Sequence, residues 1–253
     1  MKARRILVLA PHPDDEVVGC ATAIRRARAE GCEIFGLYLT TGVPPLNSLW
    51  PWQRGKYRER VARRRTEAVA AASALDIEPL RFSDRPSRSL KMYLHDALAE
   101  IRGALRLCGA DAVWVPAWEG AHQDHDVANF LGAQIADHLP VLEFAEYNFV
   151  GAAVRSQIFP TEIGGETILR LTKEEAVTKR ELLALYRSER GNLAHIATEI
   201  ESFRPLPRHD YATTPHPGKL FRERFHWLPF PHPRIDFEPS ERVRAALAEF
   251  RKA

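Results

Sequence analysis

A chain of 253 residues with 45% hydrophobic side chains can bury one large α/β core or two small ones, and it is too apolar for a disordered protein. The formal net charge of +3 is small for this length, which argues against general attraction to nucleic acid or to an anionic membrane. Cys20, Cys32 and Cys108 are odd in number, far apart and set in apolar segments, so they read as reduced core residues. No apolar run approaches the ~18 residues of a membrane span, and the start through Met1 and Lys2 has no signal-type apolar stretch. The cytoplasm is the expected compartment.

Ile6-Leu7-Val8-Leu9 reads as a buried strand, and Val17 to Ile24 as a helix packed on it. Between them lies Ala10-Pro11-His12-Pro13-Asp14-Asp15-Glu16. Pro11 and Pro13 each push the preceding residue away from the helical region, so His12 is expected to be extended and the helix to begin at Asp14 or Asp15. One acid there would serve as an N-cap; three in a row repel one another unless a cation compensates. Glu33 to Thr40 is a second strand, followed by a loop over residues 41–55 that carries Trp50 and Trp52. Exposed Trp beside a strand end suits stacking on a ligand's apolar face, or folding back onto the body. Lys56 to Leu75 is an arginine-rich amphipathic helix, Leu80 to Phe82 a third strand, and Lys91 to Leu107 a further helix.

Ala112 to Pro116 is a fourth strand, leading through Trp118 to His122-Gln123-Asp124-His125-Asp126 and a helix expected to reach His138. Val141 to Val150 reads as a strand. Repeated β-α units predict a Rossmann-like three-layer α/β fold with a mostly parallel sheet. Past residue 150 the pattern changes: a hairpin is expected over Ile158 to Leu171 around Gly164-Gly165, a helix over Thr172 to Tyr186 with a capping box from Thr172 to Glu175, and a helix over Leu193 to Ile200. The remainder is proline- and histidine-rich, with His216 between two prolines and a last helix over Ser240 to Phe250. One domain is expected over residues 1–253, with a parallel core to residue 150 and an irregular C-terminal extension after it.

His122 and His125 are three apart, which on a first helical turn brings them to one face. A second polar cluster at a strand's carboxyl end, matching the first, makes a metal site the economical reading. Imidazole and carboxylate donors suit Zn²⁺ or Fe²⁺, and three protein ligands leave positions open for water whose pKa such an ion lowers to about 7. Metal-assisted hydrolysis follows, with a neighbouring carboxylate moving the proton. On ligand count alone an Fe²⁺ oxygenase also fits.

The strand followed by Pro-His-Pro-Asp-Asp-Glu, with a downstream strand, loop and His-x-Asp-His, resembles the PIG-L (LmbE-like) family of metal-dependent N-acetylglucosaminyl deacetylases, over Arg4 to about Phe149. The resemblance implies His12, Asp15 and His125 as metal ligands, Asp14 as general base and His122 as oxyanion partner. It implies that Asp124 orients an imidazole and that Glu16 supports the turn. Arg64-Arg65-Thr66-Glu67 matches the family's Arg-x-x-Glu, which singles out Arg64 as a substrate contact, and Asp84 resembles the aspartate after its third strand. Trp50, Trp118 and His216 complete the candidate substrate contacts; a structural or solvent-facing role is open for His216. The expected substrate is an N-acetylated amino sugar or small glycoside, with a second copy of the chain as a further candidate partner. The alternatives are a hydratase of an unsaturated carboxylic acid on the same scaffold, and a non-catalytic module binding nucleic acid through the arginine-rich helix.

Overall fold

A computed structural model describes residues 3–230 and 232–250; the Met1–Lys2 lead and the tail proline at 231 lie outside them. The strands are β1 (Arg5–Ala10), β2 (Glu33–Tyr38), β3 (Ile77–Phe82), β4 (Ala112–Pro116), β5 (Val141–Phe144), β6 (Tyr147–Asn148), β7 (Arg155–Ser156), β8 (Thr167–Arg170) and β9 (Ile200–Pro205). The helices are α1 (Asp15–Ala29), α2 (Pro51–Arg54), α3 (Tyr57–Leu75), α4 (Leu94–Cys108), α5 (Gln123–Ala133), α6 (Lys173–Leu185) and α7 (Ser240–Phe250).

A sheet in the order β3-β2-β1-β4-β5-β9-β8 runs through the molecule, with β3 to β5 parallel and β9 antiparallel to both its neighbours, β5 and β8. The strands obey a period of two. In β1, Ile6, Val8 and Ala10 face the layer of α1, α3 and α6, while Leu7 and Leu9 face that of α4, α5 and α7. Two-sided burial explains why β1 and β4 read as continuous apolar runs. Helices cover both faces, as the β-α alternation predicts. The chain order reverses between β1 and β4, so the crevice for a ligand opens beyond the carboxyl ends of those two strands.

α1 begins at Asp15, after a bend and turn over residues 11–14 in which the two prolines delay the helix. It breaks at Cys20, where φ is −147°, and remote side chains satisfy the backbone groups freed there. Glu201 of β9 accepts from the amides of Thr22 and Ala23 at 2.9 Å each, and Gln157 Nε2 donates to the Val18 carbonyl at 2.8 Å. Glu201 is itself balanced by the buried Lys179 of α6, 2.9 Å away. Gly19 is required at this crossing, because a Cβ there would lie 2.1 Å from the Phe144 ring. The three cysteines are buried and free, as expected.

Several expectations for the second half are corrected. Gly164 and Gly165 do turn with positive φ, but β8 pairs with β9, Thr167 opposite Phe203, rather than with residues near Ile158. Residues 193–199 form turns and bends instead of a helix, and Ile200 opens a strand that the prolines at 205 and 207 disguised. The strand expected over Val141 to Val150 is split, with β6 turning away to pair with β7. α5 stops at Ala133, short of His138, and a short helix, α2, interrupts the loop over residues 41–55. The helix after Thr172 carries its capping box: Thr172 Oγ accepts from the Glu175 amide, and the Glu175 carboxylate accepts from the Thr172 amide.

Candidate active site

The turn after β1 and the start of α5 after β4 meet in one cleft of about 970 Å³. His12 Nε2 lies 3.1 Å from Asp124 Oδ2, a carboxylate already held by the amides of Arg88 and Leu90. Donating Nε2–H to Asp124 leaves His12 Nδ1 as a lone-pair donor. That atom faces His125 Nε2 at 3.1 Å, and Asp15 oxygens sit 3.5 Å from the one and 3.3 Å from the other. The backbone amide of His12 donates to Asp15 at 2.6 Å and fixes the carboxylate.

Two imidazole nitrogens and a carboxylate that converge in this way form a set that could hold a cation. Burial alone would depress the His12 imidazole, but Asp15 and Asp124 outweigh it and hold its pKa at about 10. Burial by itself would raise the Asp15 carboxyl, yet His125 and His12 hold it well below the carboxylate range. Behind His125, Nδ1 and both oxygens of the fully buried Glu146 lack hydrogen-bond partners among the described residues, with Glu146 Oε2 3.5 Å from that nitrogen. Burial, with Asp15, Glu119 and Asp14 nearby, pushes the Glu146 carboxyl well above its usual range. The donor set His12, Asp15 and His125 therefore fits a divalent ion, with ligand atoms within 4.8 Å of one another. A metal there would displace the proton from His12 Nδ1 and take over from the imidazolium the balancing of Asp15 and Asp124.

Asp14 stands beside this set without entering it. Its backbone is strained, with φ at 123°, a conformation that favours glycine. The buried Arg64 guanidinium donates to Asp14 Oδ2 at 3.2 Å and also to the Pro13 carbonyl, which ties the carboxylate to its own turn. Gly42 makes room for this clamp, since a Cβ would meet Arg64 at 2.7 Å and φ is 68°. Burial raises the Asp14 carboxyl and Arg64 opposes it, leaving its pKa at about 7. His122 is the N-cap of α5: its Nδ1 accepts from the Asp124 amide at 3.1 Å. Burial, reinforced by His12 and His125, pushes the imidazole well below its ordinary pKa. A neutral ring whose Nδ1 accepts must carry its proton on Nε2, leaving that N–H as a donor.

The sequence profile of the GlcNAc-PI de-N-acetylase family, PIG-L, matches residues 7–136, the segment that builds both clusters. The chain belongs to that family. It is a hydrolase of the deacetylase kind. No curated protein matches the chain. Among solved structures, it is similar to the A40926 pseudoaglycone deacetylase Dbv21 at 17% identity, over 81% of this chain and 97% of that one, with a TM-score of 0.63. It is similar to N,N′-diacetylchitobiose deacetylase from Pyrococcus horikoshii at 18% identity, over 81% and 85%, with a TM-score of 0.56. It is also similar to GalB, the 4-carboxy-2-hydroxymuconate hydratase from Pseudomonas putida KT2440, at 16% identity over 81% and 98%, with a TM-score of 0.53. At these identities the likeness is one of fold, and the fold agrees with the Rossmann-like expectation.

Of the residues this PIG-L chain offers from sequence, His12, Asp14, Asp15, Arg64, His122, Asp124 and His125 converge. Trp50 lines the cleft, stacked on Trp52 with ring centroids 5.3 Å apart. Trp118 does not: it is buried in the core against Tyr211, 4.9 Å between centroids, because the loop after β4 turns its apolar residues inward. His216 is buried with Nδ1 2.9 Å from the Pro217 carbonyl and lies outside the cleft lining. Asp84 is exposed and outside it too. Glu16 accepts from the Asp14 amide at 3.1 Å and from the Tyr186 hydroxyl, which fits support of the turn. Glu67 of the Arg-x-x-Glu accepts from Ser188 and ties the segment after α6 to α3.

Sequence reading missed Glu146, Tyr147 and the tail. Phe221, Arg222, Arg224 and Asp236 line the cleft, so the C-terminal extension forms one of its walls. The wall is pinned by Arg222, which donates to the buried Asp126 of α5. The run His122 to Asp126 does signal a carboxylate there, but nothing in the sequence pairs it with a residue 96 positions away. Among the described residues no helix is long and apolar enough to cross a membrane.

Proposed function

We propose that this chain is a zinc-dependent deacetylase that removes the acetyl group from the amide nitrogen of an N-acetylated amino sugar or small glycoside. The observation that supports this reading is the pairing within one turn: Asp15 lies against the two imidazoles while the adjacent Asp14 is bonded by Arg64. A divalent ion held by His12, Asp15 and His125 supplies Lewis-acid polarisation of the acetyl carbonyl and lowers the pKa of water toward about 7. The imidazole and carboxylate donors favour Zn²⁺, with Fe²⁺ or another divalent ion as the alternative.

Asp14 takes a proton from the attacking water at its carboxylate and passes it to the departing amine nitrogen, for which a pKa of about 7 is well placed. Arg64 fixes the orientation of that carboxylate. His122 donates Nε2–H to the acetyl oxygen as negative charge gathers on it, and a neutral ring does so without giving up its proton. Asp124 holds His12 by one oxygen and the strand-end loop at Arg88 and Leu90 by both. Similarity to a pseudoaglycone deacetylase and to a diacetylchitobiose deacetylase supports an amino-sugar substrate.

Acetate release is measured from a panel of N-acetylglucosamine glycosides after loading with Zn²⁺, Fe²⁺ or Co²⁺. Release that is fastest with zinc and abolished by a chelator is expected. Silence across the panel, with loss of alkene absorbance from an unsaturated carboxylic acid instead, would overturn the assignment in favour of hydratase chemistry.

A further inference from the structure

Three residues just after α6 close on the catalytic turn from the side, and they lie outside the matched residues 7–136. Tyr186 is buried, its ring centroid 5.6 Å from the Arg64 guanidinium carbon, and its hydroxyl donates to Glu16, the residue that accepts from the Asp14 amide. Ser188 donates to Glu67 through its amide, at 3.0 Å, and through its hydroxyl. Glu67 stands three residues beyond Arg64 on the same face of α3, so this anchor brings the short segment to the arginine. Glu189 then places Oε1 3.6 Å from Arg64 Nη1, the nitrogen that donates to Asp14 Oδ2 at 3.2 Å.

Arg64 is only 3% exposed, and a buried guanidinium keeps its plane only where its nitrogens meet fixed acceptors. Its Nη2 donates to the Pro13 carbonyl, and its Nη1 stands between the carboxylates of Asp14 and Glu189. Nε has no acceptor among the described residues, so these three groups orient the fork. Pro13 and Asp14 belong to one turn, and Glu189 is the anchor outside it. Without Glu189 the guanidinium would be tied only to the turn that it has to hold. Glu189 is itself fixed: Oε2 accepts from Asn192 Nδ2 at 2.5 Å, and its carbonyl accepts from the amides of Asn192 and Leu193 at 2.7 and 3.0 Å. Both carboxylate oxygens are thus directed at protein groups, although the residue lines the cleft.

We propose that Glu189 is a positioning residue for the proton transfer at Asp14: it steadies the Arg64 fork from outside the turn, and Arg64 in turn fixes the Asp14 carboxylate. This rests on the deacetylase reading, with Asp14 as the base. A base must stand within hydrogen-bond reach of the proton that it takes, and a misplacement of about 1 Å costs on the order of 10²-fold in rate. Substrate binding does not draw on that placement, so the loss falls on kcat and spares KM.

The test measures acetate release from an N-acetylglucosamine glycoside by the zinc-loaded wild type, Glu189→Ala, Glu189→Gln, Asp14→Asn and the double variant Asp14→Asn/Glu189→Ala, with zinc content and melting curves confirming that each is loaded and folded. Glu189→Ala should lower kcat by about 10- to 100-fold with KM within about twofold of the wild type. Glu189→Gln keeps an oxygen at the same reach and should recover part of that loss. In the Asp14→Asn background the alanine substitution should add little, because the residue acts only through the base. An unchanged kcat, or a rise in KM alone, would overturn the proposal, the latter by making Glu189 a substrate contact. Losses that multiply in the double variant would overturn it too, by making the residue merely structural. If no glycoside releases acetate from the wild type, the deacetylase reading fails, and nitrogen NMR of the Arg64 guanidinium still decides the steadying role. Rotation of that group that is slow in the wild type and fast in Glu189→Ala supports it, and equal rotation overturns it.

Discussion

The two walls of the cleft are built by different means. The catalytic wall hangs on the carboxyl ends of β1 and β4, parallel neighbours buried on both faces, and each working side chain is fixed by a hydrogen bond from the backbone or from another buried group. The opposite wall is a tail of turns, held by the Arg222–Asp126 pair and by a few aromatic contacts. Placing proton transfer and cation binding on the sheet keeps their geometry within narrow limits, while an irregular wall can change its side chains without disturbing them.

That contrast can be broken at several points. Asp14→Asn should lower kcat for acetate release by about 10²–10⁴-fold while zinc content, read by elemental analysis, stays at the wild-type value. Loss of metal together with activity would place Asp14 among the ligands and erase its separate role. His122→Phe should lower kcat by about 10²–10³-fold with little change in KM; a rise in KM alone would make it a binding residue instead. On the tail side, Arg222→Ala leaves the buried Asp126 unpaired, at a cost of about 3–5 kcal/mol. Limited proteolysis should then cut within residues 221–236, and KM should rise more than kcat falls. Glu146→Ala removes the acceptor behind His125 and should weaken zinc binding by about 10–100-fold in a chelator competition. The melting temperature of the metal-free protein should change little, because burial keeps the Glu146 carboxyl protonated and uncharged there; an equal fall with and without metal would make Glu146 merely structural.

Much of the catalytic wall was legible because its signals are local. Pro-His-Pro-Asp-Asp-Glu fixes its own backbone through two prolines, and His122 to Asp126 sits where a helix must begin, so the histidine at that position becomes the cap. Trp118 misled because a Trp on a loop after a strand fits either a ligand or the core, and only the packing of Tyr211 settles which. For His216, where the sequence left a structural role open beside a substrate contact, burial against the Pro217 carbonyl favours the structural one. The hairpin expected around Gly164-Gly165 had the right turn but the wrong partner strand, since β8 and β9 pair across the whole of α6 and neither marks the other.

The sequence by itself determined the alternation of strands and helices, the start of α1, the capping box of α6 and the identity of both polar clusters, all of which depend on interactions within a few residues. Tertiary structure alone decided that β1 and β4 are neighbours at the point where the strand order reverses, and that step turns two acidic and imidazole turns into one candidate cation site. It also decided which aspartate points at the histidines, through an arginine fifty positions away, and that the tail faces the chemistry at all. Lone pairs and charges converge across long stretches of chain only after the apolar strands between them have packed.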